Sequence, residues 1–329
     1  MVSEQGVVEV ARRGRAQSLI PSAFVVMWSS AFVAGALGVG ATGPLVLISA
    51  RFIGATVLLT GLALVLRRPW PRGEQLAHIA MSGVLMQAVQ FGALYTAIGL
   101  GLPASLVALV QGLNPALIAM LAVPVLKERV AGRQWWGFGV GAAGVVLALS
   151  DQFSHVAAVL CALLGLLGLA AGTVYQKRFV REMDVFSGTA VQFAASLPVV
   201  AVATLATERV VVTNWGSFIA ALVWIVLVNS VGTFVLLNLM LRNGAASKVG
   251  ALFFLTPAVT ALLAWVSLGS TLSQVEIAGL VLGGVGVLLA GVSSATLDRA
   301  LDAAHLRALR QWALGHRGGP RAECVEPTF

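Results

Sequence analysis

The sequence predicts an all-α membrane protein with ten transmembrane helices arranged as two inverted five-helix repeats. Three observations predict it: the composition, the placement of basic residues between apolar stretches, and an internal repeat. Of 329 residues, 58% are apolar and only 10% are charged, and the mean hydropathy is +0.92. A soluble chain is about 45–50% apolar and about 25% charged, so this one could not cover a water-facing surface. That excludes a soluble enzyme. It also excludes disorder, because disordered chains are poor in apolar residues. Two cysteines, Cys161 in an apolar run and Cys324 near the chain's end, do not make a disulfide scaffold. An outer-membrane barrel would need short segments of alternating polarity, whereas the runs here are long and apolar throughout.

A spanning helix needs about 20 mostly apolar residues. In chain order the candidates are Ile20–Gly40, Pro44–Leu66, Leu76–Ala97, Pro103–Leu126, Gln134–Ser150, His155–Val174, Ser187–Ala206, Phe218–Leu241, Ala246–Leu268 and Val275–Val292. The fifth and tenth are short and rich in Gly, which suits close helix–helix approach in lipid. Arg12, Arg13 and Arg15 precede the first span as in a signal peptide. Its apolar stretch exceeds the usual h-region of about 7–15 residues, so it reads as a retained helix. With the N-terminus in the cytoplasm, every Lys and Arg falls in a cytoplasmic segment except Arg209, in an outer loop, and Arg51, inside the second span. This follows the positive-inside rule, so the net charge of +8 is a topology signal. A nucleic-acid patch would need the cations clustered, and they are spread over six short segments.

Two segments match at one offset. Gly137-Phe-Gly-Val-Gly-Ala-Ala-Gly-Val-Val-Leu-Ala148 aligns with Gly279-Leu-Val-Leu-Gly-Gly-Val-Gly-Val-Leu-Leu-Ala290, and the same offset pairs Pro115 with Pro257, Ala116 with Ala258, Asn114 with Thr256 and Ser105 with Ser247. Each half then holds five spans. An odd number makes the second half enter the membrane from the opposite side, the architecture of many secondary transporters. The expected division is a cytoplasmic tail over residues 1–19, a first repeat over 20–150, a second over 151–293 and a cytoplasmic basic tail over 294–329. In that tail Leu297–Leu314 has the spacing of an interfacial helix. Proline frees the carbonyl four residues back, here those of Gln111 and Phe253. Paired breaks at Pro115 and Pro257 point to a transport site with two hinges.

These residues resemble a known family. Trp28-Ser-Ser-Ala-Phe-Val-Ala34, Ala50-Arg-Phe52, Phe91-Gly-Ala-Leu-Tyr-Thr-Ala-Ile98, Asn114-Pro115 and Lys127-Glu-Arg129 are similar to the first repeat of the EamA family of the drug/metabolite transporter superfamily. Ala171-Gly-Thr-Val-Tyr-Gln-Lys-Arg178 and Leu255-Thr-Pro257 fit its second repeat. The resemblance implies ten helices, both termini in the cytoplasm of an inner-membrane protein, and movement of small metabolites, often export of amino acids or drug-like compounds. The chain departs from the family's pattern at Ala36, Leu169 and Ser270.

Polar residues inside the spans are the candidate site. Gln87, Phe91 and Tyr95 share a helical spacing of four, with Gln90 beside them; Gln111 and Asn114 flank Pro115; Asn229 shares a face with Thr233; Trp28 sits mid-helix; and Thr256 precedes Pro257. Together they are expected to line a polar cavity that binds a small-molecule substrate. Arg51 pairs either with a substrate carboxylate or, the favoured alternative, with nothing but the interface or helix-end carbonyls. No Asp or Glu is mid-span, so carboxylate-based proton coupling is not expected. His78, His155, His305 and His316 are scattered, and no phosphate-binding or hydrolase motif is present, so neither a metal, a cofactor nor catalytic residues are expected. The expected partners are the substrate and membrane lipid, not nucleic acid, and monomer and homodimer are both compatible with the sequence. The alternatives to an exporter are a non-transporting membrane sensor or scaffold and a membrane-embedded enzyme.

Overall fold

Long runs of apolar residues can satisfy their backbone in lipid only by folding into helices or closed barrels, and a computed structural model shows helices. It describes residues 4–127, 130–180, 182–233, 236 and 255–291. In chain order these form α1 (Glu4–Val39), α2 (Pro44–Val65), α3 (Gly73–Gly99), α4 (Ala104–Leu126), α5 (Gly132–Ala148), α6 (Val156–Phe179), α7 (Val185–Thr207), α8 (Trp215–Gly232), α9 (Thr256–Leu268) and α10 (Gln274–Gly291). Among the described residues the sole β-pairing is one isolated bridge between Thr42 and Val212. Among the described residues seven helices are long and apolar enough to cross a membrane: the stretch Ile20–Val39 of α1, then α2, α3, α4, α6, α7 and α8. The expected spans Phe218–Leu241, Ala246–Leu268 and Val275–Val292 lie partly outside the described residues, as do Phe253, Glu128 and the whole basic tail. Helix α1 begins at Glu4, well before the apolar stretch that marks its span.

Sequence explains the boundaries. Pro44 opens α2, where a missing N–H costs nothing. Leu45 and Val46 have orphan N–H groups in that first turn, and the carboxylate of Glu208 accepts from both at 3.1 Å. Asp184 caps α7 by accepting from Phe186 and Ser187, and Asn214 caps α8 by accepting from Ser217. The acidic side chains Glu208, Asp184 and Glu276 thus tie helix ends, Glu276 by accepting from the Ser273 N–H at 2.7 Å and from Gln152 at 3.2 Å. Gly101, between α3 and α4, has φ +96°, which no L side chain adopts comfortably.

Among the described residues the principal packings are α1 on α8 and α9, α6 on α3 and α4, α2 on α7, α2 on α3 and α8, α3 on α7, α4 on α9, and α5 on α10. Exchanging each helix for the one five places later maps these packings onto one another, except α2 on α3, whose image α7 on α8 has no comparable packing among the described residues. The tightest pair is α5 with α10. A Cβ at Gly137 would strike the backbone of Gly286 and Ala290, and one at Gly144 the backbone of Gly279 and Gly283. The two helices therefore run antiparallel, backbone on backbone. The glycines in contact are those that align in the internal repeat.

Two departures from regular helix set the positions of the candidate amides. In α3 the turn Val84–Val89 is a π-helix, and in α8 so is Trp224–Gly232. The offset that aligns the prolines carries Gln87 onto Asn229, one in each π segment. In α8 the hydroxyls of Ser230 and Thr233 bond the carbonyls five residues back, of Ile225 and Val228, as the wider turn requires. The widened turn also shifts Gln87 off the straight line through Phe91 and Tyr95 that a regular spacing of four predicts.

Candidate functional site

Helix α4 stops at Gln111 and restarts at Asn114, with Pro115 in the first turn of the new segment. Over the break the chain tightens: Gly112 donates to Ala108 and Leu109, and Leu113 to Val110. Helix α9 likewise opens at Thr256 with Pro257 in its first turn. The two breaks meet, since a Cβ at Gly112 would touch the Pro257 ring. Pro257 is buried whereas Pro115 is exposed, so the two prolines differ in surroundings. A small apolar crevice beside the meeting point is lined by Leu109, Leu113, Ala258 and the glycines of α5 and α10. It holds few polar groups. Gln111 and Asn114 flank the break but none of the candidate amides lines the crevice.

Buried polar atoms normally have partners, and each one left without costs about 1–3 kcal/mol. Gln87, Gln111 and Asn229 are buried and Asn114 half-buried. Among the described residues Gln87 Oε1, both amide atoms of Gln111, Asn114 Oδ1 and Asn229 Oδ1 have no hydrogen-bond partner. The other end of Asn229 donates to the Met27 carbonyl of α1. Gln111 faces Gly165 of α6, which also abuts the backbone of Gln90. Gln90 itself is buried. Glycines at 165, 168 and 172 let α6 lie against the π segment of α3. Around the middle of α1, Asn229 reaches Met27, Ser29 donates to the Thr256 carbonyl at 3.2 Å, and half-buried Trp28 lies 5.8 Å from the Phe24 ring.

Arg51 forms a second group. It is only 4% exposed, so it does not snorkel to the interface. Its guanidinium lies 4.0 Å over the Phe91 ring, and Nη1 donates to Tyr95 Oη at a long 3.5 Å. Tyr95 donates onward to the Ala31 carbonyl at 3.3 Å. Among the described residues the Nε of Arg51 has no hydrogen-bond partner. A desolvated cation–π contact is worth about 2 kcal/mol, less than burying a charge in hydrocarbon costs.

Sequence reasoning missed some of this. The π turns were not expected, although the Gln87/Asn229 match at the repeat offset was there to be read. Gln192, also overlooked, is a buried amide of a different kind: its Nε2 donates to Ser82 at 3.0 Å and Gln176 at 3.1 Å. Among the described residues no group of His, Cys, Asp or Glu could hold a metal ion.

The EamA-like transporter family model matches residues 19–150 and again 156–292. The chain belongs to that family. The chain is 24% identical over 281 residues to the uncharacterized inner membrane transporter YedA of Escherichia coli K12, covering 85% of this chain and 90% of that one. It is 27% identical to the uncharacterized transporter YvbV of Bacillus subtilis, over 84% of this chain and 92% of that one. A probable amino-acid metabolite efflux pump of Escherichia coli K12 is 28% identical over 47% of this chain and 52% of its own. A solved crystal structure superposes with a TM-score of 0.59 at 20% identity, covering 84% of this chain and 96% of that one, a likeness of fold alone.

Proposed function

We propose that this protein is a secondary transporter of the inner membrane that exports small amphipathic metabolites, amino acids or drug-like compounds, by alternating access. Its site is the group Trp28, Gln87, Gln90, Phe91, Tyr95, Gln111, Asn114, Asn229 and Thr256, with Pro115 and Pro257 as hinges. One observation carries the reading: amides buried in the bilayer-spanning region keep hydrogen-bonding atoms that no group among the described residues satisfies. A polar passenger, or the water it displaces, satisfies them. Repeats over residues 20–150 and 151–293, ten helices in all and both termini in the cytoplasm, complete the proposal. The exchange of most of the packings between the two halves and the paired π segments support the inverted arrangement. Transport then rocks helices of one repeat against the other. With no carboxylate mid-span, the substrate gradient suffices to drive it.

The test is counterflow in proteoliposomes with a panel of amino acids, nucleosides and amphipathic drugs. Uptake of at least one class is expected, and Gln111→Ala and Asn114→Ala should slow it without loss of protein. Binding in detergent without counterflow would favour a sensor. Impermeant labels that place the chain ends on opposite sides of the membrane would overturn the inverted repeat.

A further inference from the structure

We propose that Arg51 binds a carboxylate of the transported molecule, making organic acids and zwitterions, amino acids among them, the substrate class. The proposal rests on the transporter reading and adds its chemistry. A guanidinium stays charged in any protein environment. This one lies seven residues, about 10 Å, below the start of α2. A purely structural arginine at that depth pairs with a carboxylate or with helix-end carbonyls. Among the described residues Arg51 does neither: no acidic side chain is within ion-pair reach, and the hydrogen bond it makes, to Tyr95, is long. The acids on the same side of the protein are engaged elsewhere, Glu208 at the first turn of α2 and Asp151 and Glu276 at Ser273.

The surroundings suit an anion. Phe91 holds the guanidinium through its ring face, leaving the N–H edge for a ligand. Buried Nε, together with an Nη, forms the fork that takes two carboxylate oxygens at once. A lipid phosphate offers the same oxygens, but the depth of Arg51 places it inside the hydrocarbon rather than among headgroups. Phe91 is one residue from Gln90, whose backbone lies with the Gln111 amide against Gly165, so amides are available for the remaining polar atoms of an amino acid.

The experiment compares pairs that differ only in this group: phenylalanine, leucine and indole-3-acetate, each against its primary amide. Thermal stabilisation of the purified protein and counterflow are both measured, in vesicles of phosphatidylcholine alone and with anionic lipid added. The acid of each pair should be favoured about tenfold or more, because a site built to bond an absent group rejects the analogue lacking it. Arg51→Gln should collapse that ratio towards one, and Arg51→Lys should keep part of it. Equal response to acid and amide in the unmodified protein overturns the proposal, as does discrimination that survives Arg51→Gln or that appears only with anionic lipid. Counterflow of neutral or cationic drugs with no response to any acid would overturn it too, while leaving the transporter reading intact.

Discussion

Gln192 and Gln111 are the same side chain, both buried in membrane-spanning helices, and they live in opposite circumstances. Gln192 on α7 is locked between Ser82 on α3 and Gln176 on α6. Gln111, at the break in α4, has neither its oxygen nor its nitrogen bonded among the described residues. The first arrangement is what a fold-stabilising amide looks like in this molecule. The second is a cost the fold bears, and such costs gather where a protein binds something. Burial alone therefore does not separate the two amides; the presence or absence of a bonded partner does.

The largest effect that would sharpen this contrast is on stability. Gln192→Ala should lower the unfolding free energy by about 2–3 kcal/mol, because Ser82 and Gln176 each lose a partner in a dry place. Thermal unfolding in detergent measures it, and an unchanged melting temperature would break the comparison. Gln111→Ala should do the reverse: stability within about 1 kcal/mol of the parent, with counterflow reduced about tenfold. Asn229 stands between the two, since one end is bonded to Met27 and the other is not. Asn229→Ala should cost about 1 kcal/mol and slow transport severalfold. The smallest effect is expected at Glu208→Gln, which keeps an acceptor at the start of α2 but loses its charge, for about 0.5 kcal/mol. A larger loss there would mean that the outer helix ends are held more tightly than their hydrogen bonds indicate.

Much of the fold could be read from the chain because lipid leaves few alternatives. Apolar runs such as Pro44–Val65 have to be helices, and the glycines aligned between α5 and α10 announce a close contact that the structure then shows as backbone on backbone. The candidate residues were also visible, as amides stranded in oil. Their environments were not. Periodicity assumes a constant turn, so the π segments at Gln87 and Asn229 could not be anticipated from a spacing of four. Nor could a sequence tell that Gln192 is bonded and Gln111 is not, or that Arg51 lies under no carboxylate, since each depends on which helix stands opposite.

The glycine seam between α5 and α10 has a consequence for how such a chain can vary. Because main chain meets main chain there, the fit owes nothing to the larger residues on the outward sides of those helices, such as Trp136, Val146, Val281 and Val285, which are exposed. Those positions are free to drift with the thickness and composition of whatever bilayer the host supplies. Descendants could thus be retuned to new lipids without disturbing the pairing that holds the two halves together.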